Sequence, residues 1–207
     1  MKFRQWIVLT ALLMVTTTAL NAQTAAVKTN LIGWATTNLN IGAELGVGRK
    51  STVQIFGTLN PWDFGNLKRY RFWNVMPEYR YFFCEKFNGH FVGIHALGGQ
   101  YNMRNVKFPP IGSASGFPDL TNEENGPMMT NDGVMKARHV EGWYVGAGLT
   151  YGYQWMLNKR WNLEAEIGAG YAYSPLKLYG RCNTLIEEKK ISYFGLTKVG
   201  LSIMYMF

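Results

Sequence analysis

The strongest constraint in this sequence is a two-residue period that runs unbroken for sixteen residues, from Gly142 to Leu157. Odd positions read Trp143, Val145, Ala147, Leu149, Tyr151, Tyr153, Trp155 and Leu157, while even positions include Gly146, Gly148, Thr150, Gly152 and Gln154. Successive side chains of an extended chain point to opposite faces, so this is a strand with one apolar face and one small or polar face. Its length is about three times that of an average globular strand.

The period recurs along the chain. Trp161, Leu163, Ala165, Ile167, Ala169, Tyr171 and Tyr173 alternate with Asn162, Glu164, Glu166, Gly168 and Gly170. Val199, Leu201, Ile203, Tyr205 and Phe207 alternate with Lys198, Gly200 and Ser202. Shorter, noisier stretches follow the same rule, and together they predict eight strands at roughly 26–36, 40–48, 52–62, 72–84, 90–103, 142–157, 160–174 and 192–207. Between His90 and Asn102 the facing stays open, with Val92, Ile94 and Ala96 on one side and Phe91, Gly93, His95 and Leu97 on the other. Connections alternate between short turns (Arg49–Ser51, Glu85–Gly89, Asn158–Arg160) and longer loops (Gly65–Arg71, Arg104–Glu141, Leu176–Ile191). Short turns on one rim and longer loops on the other predict an all-β fold, an eight-stranded antiparallel up-and-down transmembrane β-barrel with both termini on the short-turn side.

A soluble lipocalin-like barrel, apolar inside, is the competing architecture. Its solvent face would then be glycine-rich, whereas a soluble surface carries interspersed charge. Only 16% of the 207 residues are charged and 15% are aromatic, against about 25% charged in a soluble chain. With the apolar face outward, glycines and a few charges fill a narrow lumen. Trp155 and Trp161 then flank one short turn, and Trp34, Trp62, Trp73, Trp143 and Tyr173 fall toward the long-loop rim. Two aromatic belts separated by aliphatic residues match interface girdles.

Met1–Gln5 carries two cations, Trp6–Val15 is mostly apolar, and Leu20-Asn-Ala22 supplies small residues for cleavage. This reads as a signal peptide over 1–22, leaving 23–207 as the barrel; the apolar stretch falls short of the about 20 residues a spanning helix needs. Losing Lys2 and Arg4 lowers the formal charge from +8 to +6. The expected location is the outer membrane of a Gram-negative bacterium, with periplasmic termini. The aromatic Phe207, ending an alternating last strand, resembles the signal read by the barrel assembly machinery. Cys84 and Cys182 fall at opposite rims, beyond the roughly 7 Å Cα limit of a disulfide, and are expected as unpaired thiols.

Inward positions collect Lys28, Glu44, Glu78, Arg80, Glu164, Glu166 and Lys198. Isolated buried charges are costly, so these are expected to pair with one another and plug the lumen rather than form an ion path. Glu164 and Glu166 are not expected to act as a catalytic pair, because Arg80 or Lys198 would counter the repulsion between them. His90, His95 and His139 lie at no spacing that fixes a triad with Ser113, Ser115 or Asp119, and no metal-ligand spacing is present. The expectation is a non-enzymatic protein without cofactor or metal, structural, adhesive or accessory, acting through the loops at 65–71, 104–141 and 176–191. A lipid A- or phospholipid-modifying enzyme is the alternative, and an accessory of fimbrial or surface-complex assembly is another.

The longest loop holds Pro109-Pro110, Asn-Glu-Glu-Asn-Gly and Met128-Met129. Met128 and Met129 could form a binding tip, against the plainer reading of a tolerated insertion. Lys68, Arg69 and Arg71 lie on a long-rim loop, while Arg49, Lys50, Lys86, Lys159 and Arg160 lie on the short turns. Basic charge dispersed on both rims suits anionic lipid headgroups, including lipopolysaccharide phosphates. A nucleic-acid protein would cluster it on one surface, so that partner is rejected.

The stretches Val27-Lys-Thr-Asn-Leu31, Asn60-Pro-Trp62, Pro77-Glu-Tyr-Arg-Tyr81, Cys84-Glu-Lys-Phe-Asn-Gly-His-Phe91, Gly98-Gly-Gln-Tyr-Asn102, Glu141-Gly-Trp143, Gly152-Tyr-Gln-Trp155 and Lys159-Arg-Trp-Asn-Leu-Glu-Ala-Glu-Ile167 add a family likeness. Over nearly the whole mature chain they resemble an uncharacterised domain-of-unknown-function family of small exported barrels of Bacteroidota, OmpX/OmpA-barrel-like. The resemblance implies a role near fimbria-type surface structures, in assembly or anchoring. Some members add a peptidoglycan-binding domain; this chain stops at Phe207, so cell-wall tethering is not carried over, and the family supplies no catalytic residues. Mass spectrometry of the exported protein should place its N-terminus at Gln23; a chain retaining Met1–Ala22 would contradict the leader reading.

Overall fold

A computed structural model describes residues 25–64, 68–104, 113–114, 139–179 and 185–207. The expected leader at 1–22, Met128, Met129 and Cys182 lie outside the described residues. The elements are β1 (Ala25–Asn30), α1 (Leu31–Ala35), β2 (Leu39–Gly46), β3 (Ser51–Asn60), β4 (Asp63–Phe64), β5 (Lys68–Phe82), β6 (Gly89–Arg104), β7 (Ser113–Ala114), β8 (His139–Met156), β9 (Trp161–Tyr179) and β10 (Leu185–Met206). Eight long strands run antiparallel in the order β1-β2-β3-β5-β6-β8-β9-β10, each beside its sequence neighbour among the long strands. The last pairs with the first, from Ala26 opposite Met206 to Asn30 opposite Ser202, so the sheet closes into a barrel-like ring. The two short strands are additions: β4 pairs with β5, and β7 pairs with β10 at Tyr193 and Phe194.

Alternation sets the two faces. Outward residues include Ile41, Ile55, Ile94, Leu149, Ile167 and Val199, all exposed, and the facing left open in β6 resolves with Val92 and Ile94 outside and Phe91 and Leu97 inside. The turns at 47–50 and 157–160 are tight. Val47 and Gly48 both donate to the Ser51 carbonyl, and the Asn158 side chain accepts from the amides of Arg160 and Trp161, as an Asx turn does. Ala25 and Phe207, the first and last described residues, meet on this same rim, where the Phe207 amide donates to Ala25 O at 3.0 Å.

Several boundaries differ from the sequence expectation. The first strand stops at Asn30, because the Asn30 carboxamide accepts from Ile32 N and caps α1; it also donates to Val199 O and accepts from Leu201 N, holding β10 where the main-chain ladder stops. β5 begins at Lys68 and β8 at His139, so Lys68, Arg69 and Arg71 belong to a strand rather than a loop. Most of the expected loop at 176–191 is a ladder with Lys177 opposite Glu188 and Leu176 opposite Lys189, its period hidden by Pro175 and the Glu187-Glu188-Lys189-Lys190 charge run.

The interior is also more apolar than a polar lumen. Tyr101, Met103, Val140, Leu176, Leu178 and Ile191 pack together toward the long-loop rim, with Phe56, Met76, Leu97 and Ala172 below them. At the other end Ala26, Phe87, Met204 and Met206 close the ring. Phe87 reaches this place from a turn, at φ +65°, and its carbonyl accepts from Asn162 Nδ2 at 2.8 Å.

Glycine permits close strand packing at one diagnostic place. A Cβ on Gly170 would strike the backbone of Ala147 and Gly148, whereas at Gly98 it would lie 3.8 Å from the nearest atom. Gly170→Ala should therefore destabilise the fold by about 1–3 kcal/mol while Gly98→Ala leaves it unchanged; urea midpoints of the two variants under identical conditions would decide.

Candidate functional site

Seven ionisable side chains meet inside the ring, contributed by β1, β2, β5, β9 and β10. Their even-numbered positions all face inward because each strand alternates in phase with its neighbour. Arg80 is at the centre and fully buried. Its Nη1 lies 3.1 Å from Glu44 and 2.6 Å from Glu164; its Nη2 lies 2.5 Å from Glu166 and 3.3 Å from Glu78. The planar fork of a guanidinium allows this four-way contact, where an ammonium is a point charge. Lys28 sits 2.7 Å from Glu164 and 3.4 Å from Glu44, and Lys198 lies 2.5 Å from Glu78 and 2.9 Å from Glu166. Three cations thus hold four carboxylates, and Arg80 also lies 4.5 Å above the centre of the Phe91 ring.

Neutral side chains complete the shell. Thr52 donates to Glu44 at 2.6 Å, Gln54 donates to Glu78 and Gln154 donates to Glu164. The absence of a Cβ at Gly93 leaves room for the Glu78 carboxylate, whose Oε1 would otherwise be struck. His95 stands beyond the cluster, with Nδ1 2.8 Å from Thr150 Oγ1 and Nε2 2.9 Å from Thr197 Oγ1. Charge alone missed Thr52, Gln54 and Gln154; their inward phase, shared with the charged residues, was the available signal, whereas for His95 the open facing of its strand left a hydrogen-bonded interior place as one of two readings.

Other sequence candidates lie apart from this cluster. Lys68 begins β5. Arg69 and Arg71 face outward at the long-loop rim, where Arg69 Nε is 3.3 Å from Asp63 and Arg71 also bonds Asp63. Cys84 is exposed just past β5 at the short-turn rim. His90 bonds the Tyr151 hydroxyl on the outer surface at 2.7 Å. His139 Nε2 is 2.8 Å from Asn102 Oδ1 and 3.1 Å from Glu141 Oε1, and its row neighbours across the sheet are Arg104 and Tyr179. Further round this rim Lys177 donates to Glu188 at 2.9 Å, and that bond together with the carboxylate charge raises the lysine pKa above its usual value. Among the described residues no group of three or more His, Cys, Asp or Glu is arranged to hold a metal ion, and no helix is long and apolar enough to cross a membrane.

The outer surface has its own pattern. Trp155, Trp161, Phe83 and Phe207 are exposed around the short-turn rim, and Trp34, Trp62, Trp73 and Trp143 around the other. Exposed aliphatic side chains cover the wall between them.

Removing Arg80 would leave the carboxylates facing each other without their central partner. Arg80→Ala should cost about 3–5 kcal/mol, with a smaller loss for Arg80→Lys; chemical unfolding of both under identical conditions measures the difference.

In comparison with known proteins, a family profile described as "Protein of unknown function (DUF3575)" matches residues 7–207. No curated protein matches the chain.

Proposed function

The chain belongs to the DUF3575 family, and we propose that this member is a small OmpX/OmpA-like barrel of the outer membrane of a Gram-negative bacterium, from the Bacteroidota, exported by a leader at 1–22. The observation that carries the reading is the inversion of the ring: charges are buried and ion-paired inside while Ile41, Ile55, Ile94 and Leu149 are exposed outside. In water such a wall far exceeds the apolar patches that soluble monomers expose. In a bilayer it is the stable arrangement, because a closed ring leaves no unpaired strand edge in the hydrocarbon. Tryptophans at the two rims suit the two interfaces. The meeting of Ala25 and Phe207 at the short-turn rim supports a periplasmic side for both, and Phe207 suits recognition by the assembly machinery.

The lumen is plugged in this reading. Arg80 and its partners fill the middle, and apolar layers lie on either side. The protein then acts through its long-loop rim, as a non-enzymatic structural, adhesive or accessory component that contacts lipopolysaccharide and other surface proteins, fimbrial ones among them. Lys68, Arg69, Arg71 and the Met128-Met129 segment are its proposed contact points.

The purified protein should migrate faster unheated than boiled in detergent gels and give no large steady conductance in planar bilayers. A steady open channel would overturn the plugged lumen, and unchanged migration would count against a closed barrel.

A further inference from the structure

Above the tryptophans of the long-loop rim, strand register stacks outward side chains into rows. Trp73, Gln100 and Trp143 form the lowest; Arg71, Asn102, Glu141 and Lys177 the next; Arg69, Arg104, His139 and Tyr179 the highest. The middle row is internally compensated: Asn102 donates to Glu141 at 2.7 Å and His139 bonds both. The highest row contains no carboxylate of its own. It sets Arg69 directly opposite Arg104 across the β5–β6 ladder, and like charges so placed destabilise a sheet. Asp63 is the carboxylate that engages Arg69 and Arg71. Arg104 Nε is shielded from solvent without a hydrogen-bond partner among the described residues.

Directly beneath these cations lies a groove of about 490 Å³, walled by Trp73 and Trp143, with Gln100 and Asn102 between them and Arg71 and Glu141 at its upper end. The Trp73 indole N–H lies 3.4 Å from Gln100 Oε1, so its ring is turned toward the groove's polar floor. Guanidinium groups are suited to binding phosphate oxygens through paired N–H donors. Aromatic rings with a polar handle settle where one side is apolar and the other wet.

We propose that this groove binds the phosphate-bearing headgroup of an outer-leaflet lipid, with Arg69, Arg71 and Arg104 holding the phosphate and Trp73 and Trp143 flanking the neck of the headgroup. A shared phosphate relieves the Arg69–Arg104 opposition and supplies an acceptor for Arg104. The assignment rests on the outer-membrane reading above and adds to it a located site with a stated chemistry.

The test uses the protein extracted from membranes into neutral detergent, with retained lipid counted by native mass spectrometry. Bis-phosphorylated lipid A, the same lipid with its phosphates removed, and inorganic phosphate are the probes. The phosphorylated lipid should bind, and the double variant Arg69→Gln/Arg104→Gln should bind it at least about tenfold more weakly, with an unchanged heat-dependent gel shift. Trp73→Leu/Trp143→Leu should weaken retention while leaving the phosphate preference in place. Equal retention of the dephosphorylated lipid, or unaltered binding by the arginine variant, would overturn the site. Displacement of the lipid by equimolar inorganic phosphate would overturn its assignment to a headgroup. Co-flotation with phospholipid vesicles separates the two levels: a protein that does not float defeats the membrane reading and this site with it, whereas one that floats without phosphate preference defeats the site alone.

Discussion

Closure of the sheet between β1 and β10 is the contact on which the rest depends. It spans only the pairs from Ala26–Met206 to Asn30–Ser202, yet it converts an open sheet with two unpaired edges into a ring. A ring can leave its outer wall apolar because its main-chain donors and acceptors are paired between neighbouring strands. Asn30 marks the limit of this seam. Its side chain bonds β10 at Val199 and Leu201 and caps α1, so one residue ends the ladder and starts the excursion at the rim.

Once the ring is closed, its inner volume is fixed and must be filled. The middle is filled by charge, arranged around a guanidinium that reaches four carboxylates at once. A buried ion-pair network contributes little net stability, because desolvation offsets much of the attraction. Its effect is rather to penalise every misregistered pairing: a one-residue slip would turn these charges toward the outside and carry apolar residues in. Above and below, the filling is aromatic and aliphatic, and Phe87 closes the short-turn end. The interior is therefore layered along its axis.

Strand number, and the facing of the long strands other than β6, were legible because alternation is a local property. The face of Lys28, Arg80 or Glu164 follows from its parity within one strand. Boundaries were less legible where local signals conflict. Pro175 and the Glu187–Lys190 charge run look like loop, yet they lie in a ladder because β9 and β10 are already in register below them. The helix at Leu31–Ala35 was invisible because its cap, Asn30, also fits the strand pattern. Thr52, Gln54 and Gln154 carry no charge to draw notice, and their part in the site depends on facing Glu44, Glu78 and Glu164 across strands.

By itself the sequence determined that this chain makes long antiparallel strands with one apolar face, because a period of two is written in neighbouring residues and needs no distant partner. Only the tertiary structure decided which charges meet, that the interior is apolar on both sides of them, and that Arg69, Arg104 and His139 fall into one row. Those outcomes depend on the stagger between strands, and stagger is set by turn geometry and ring closure summed over the whole sheet.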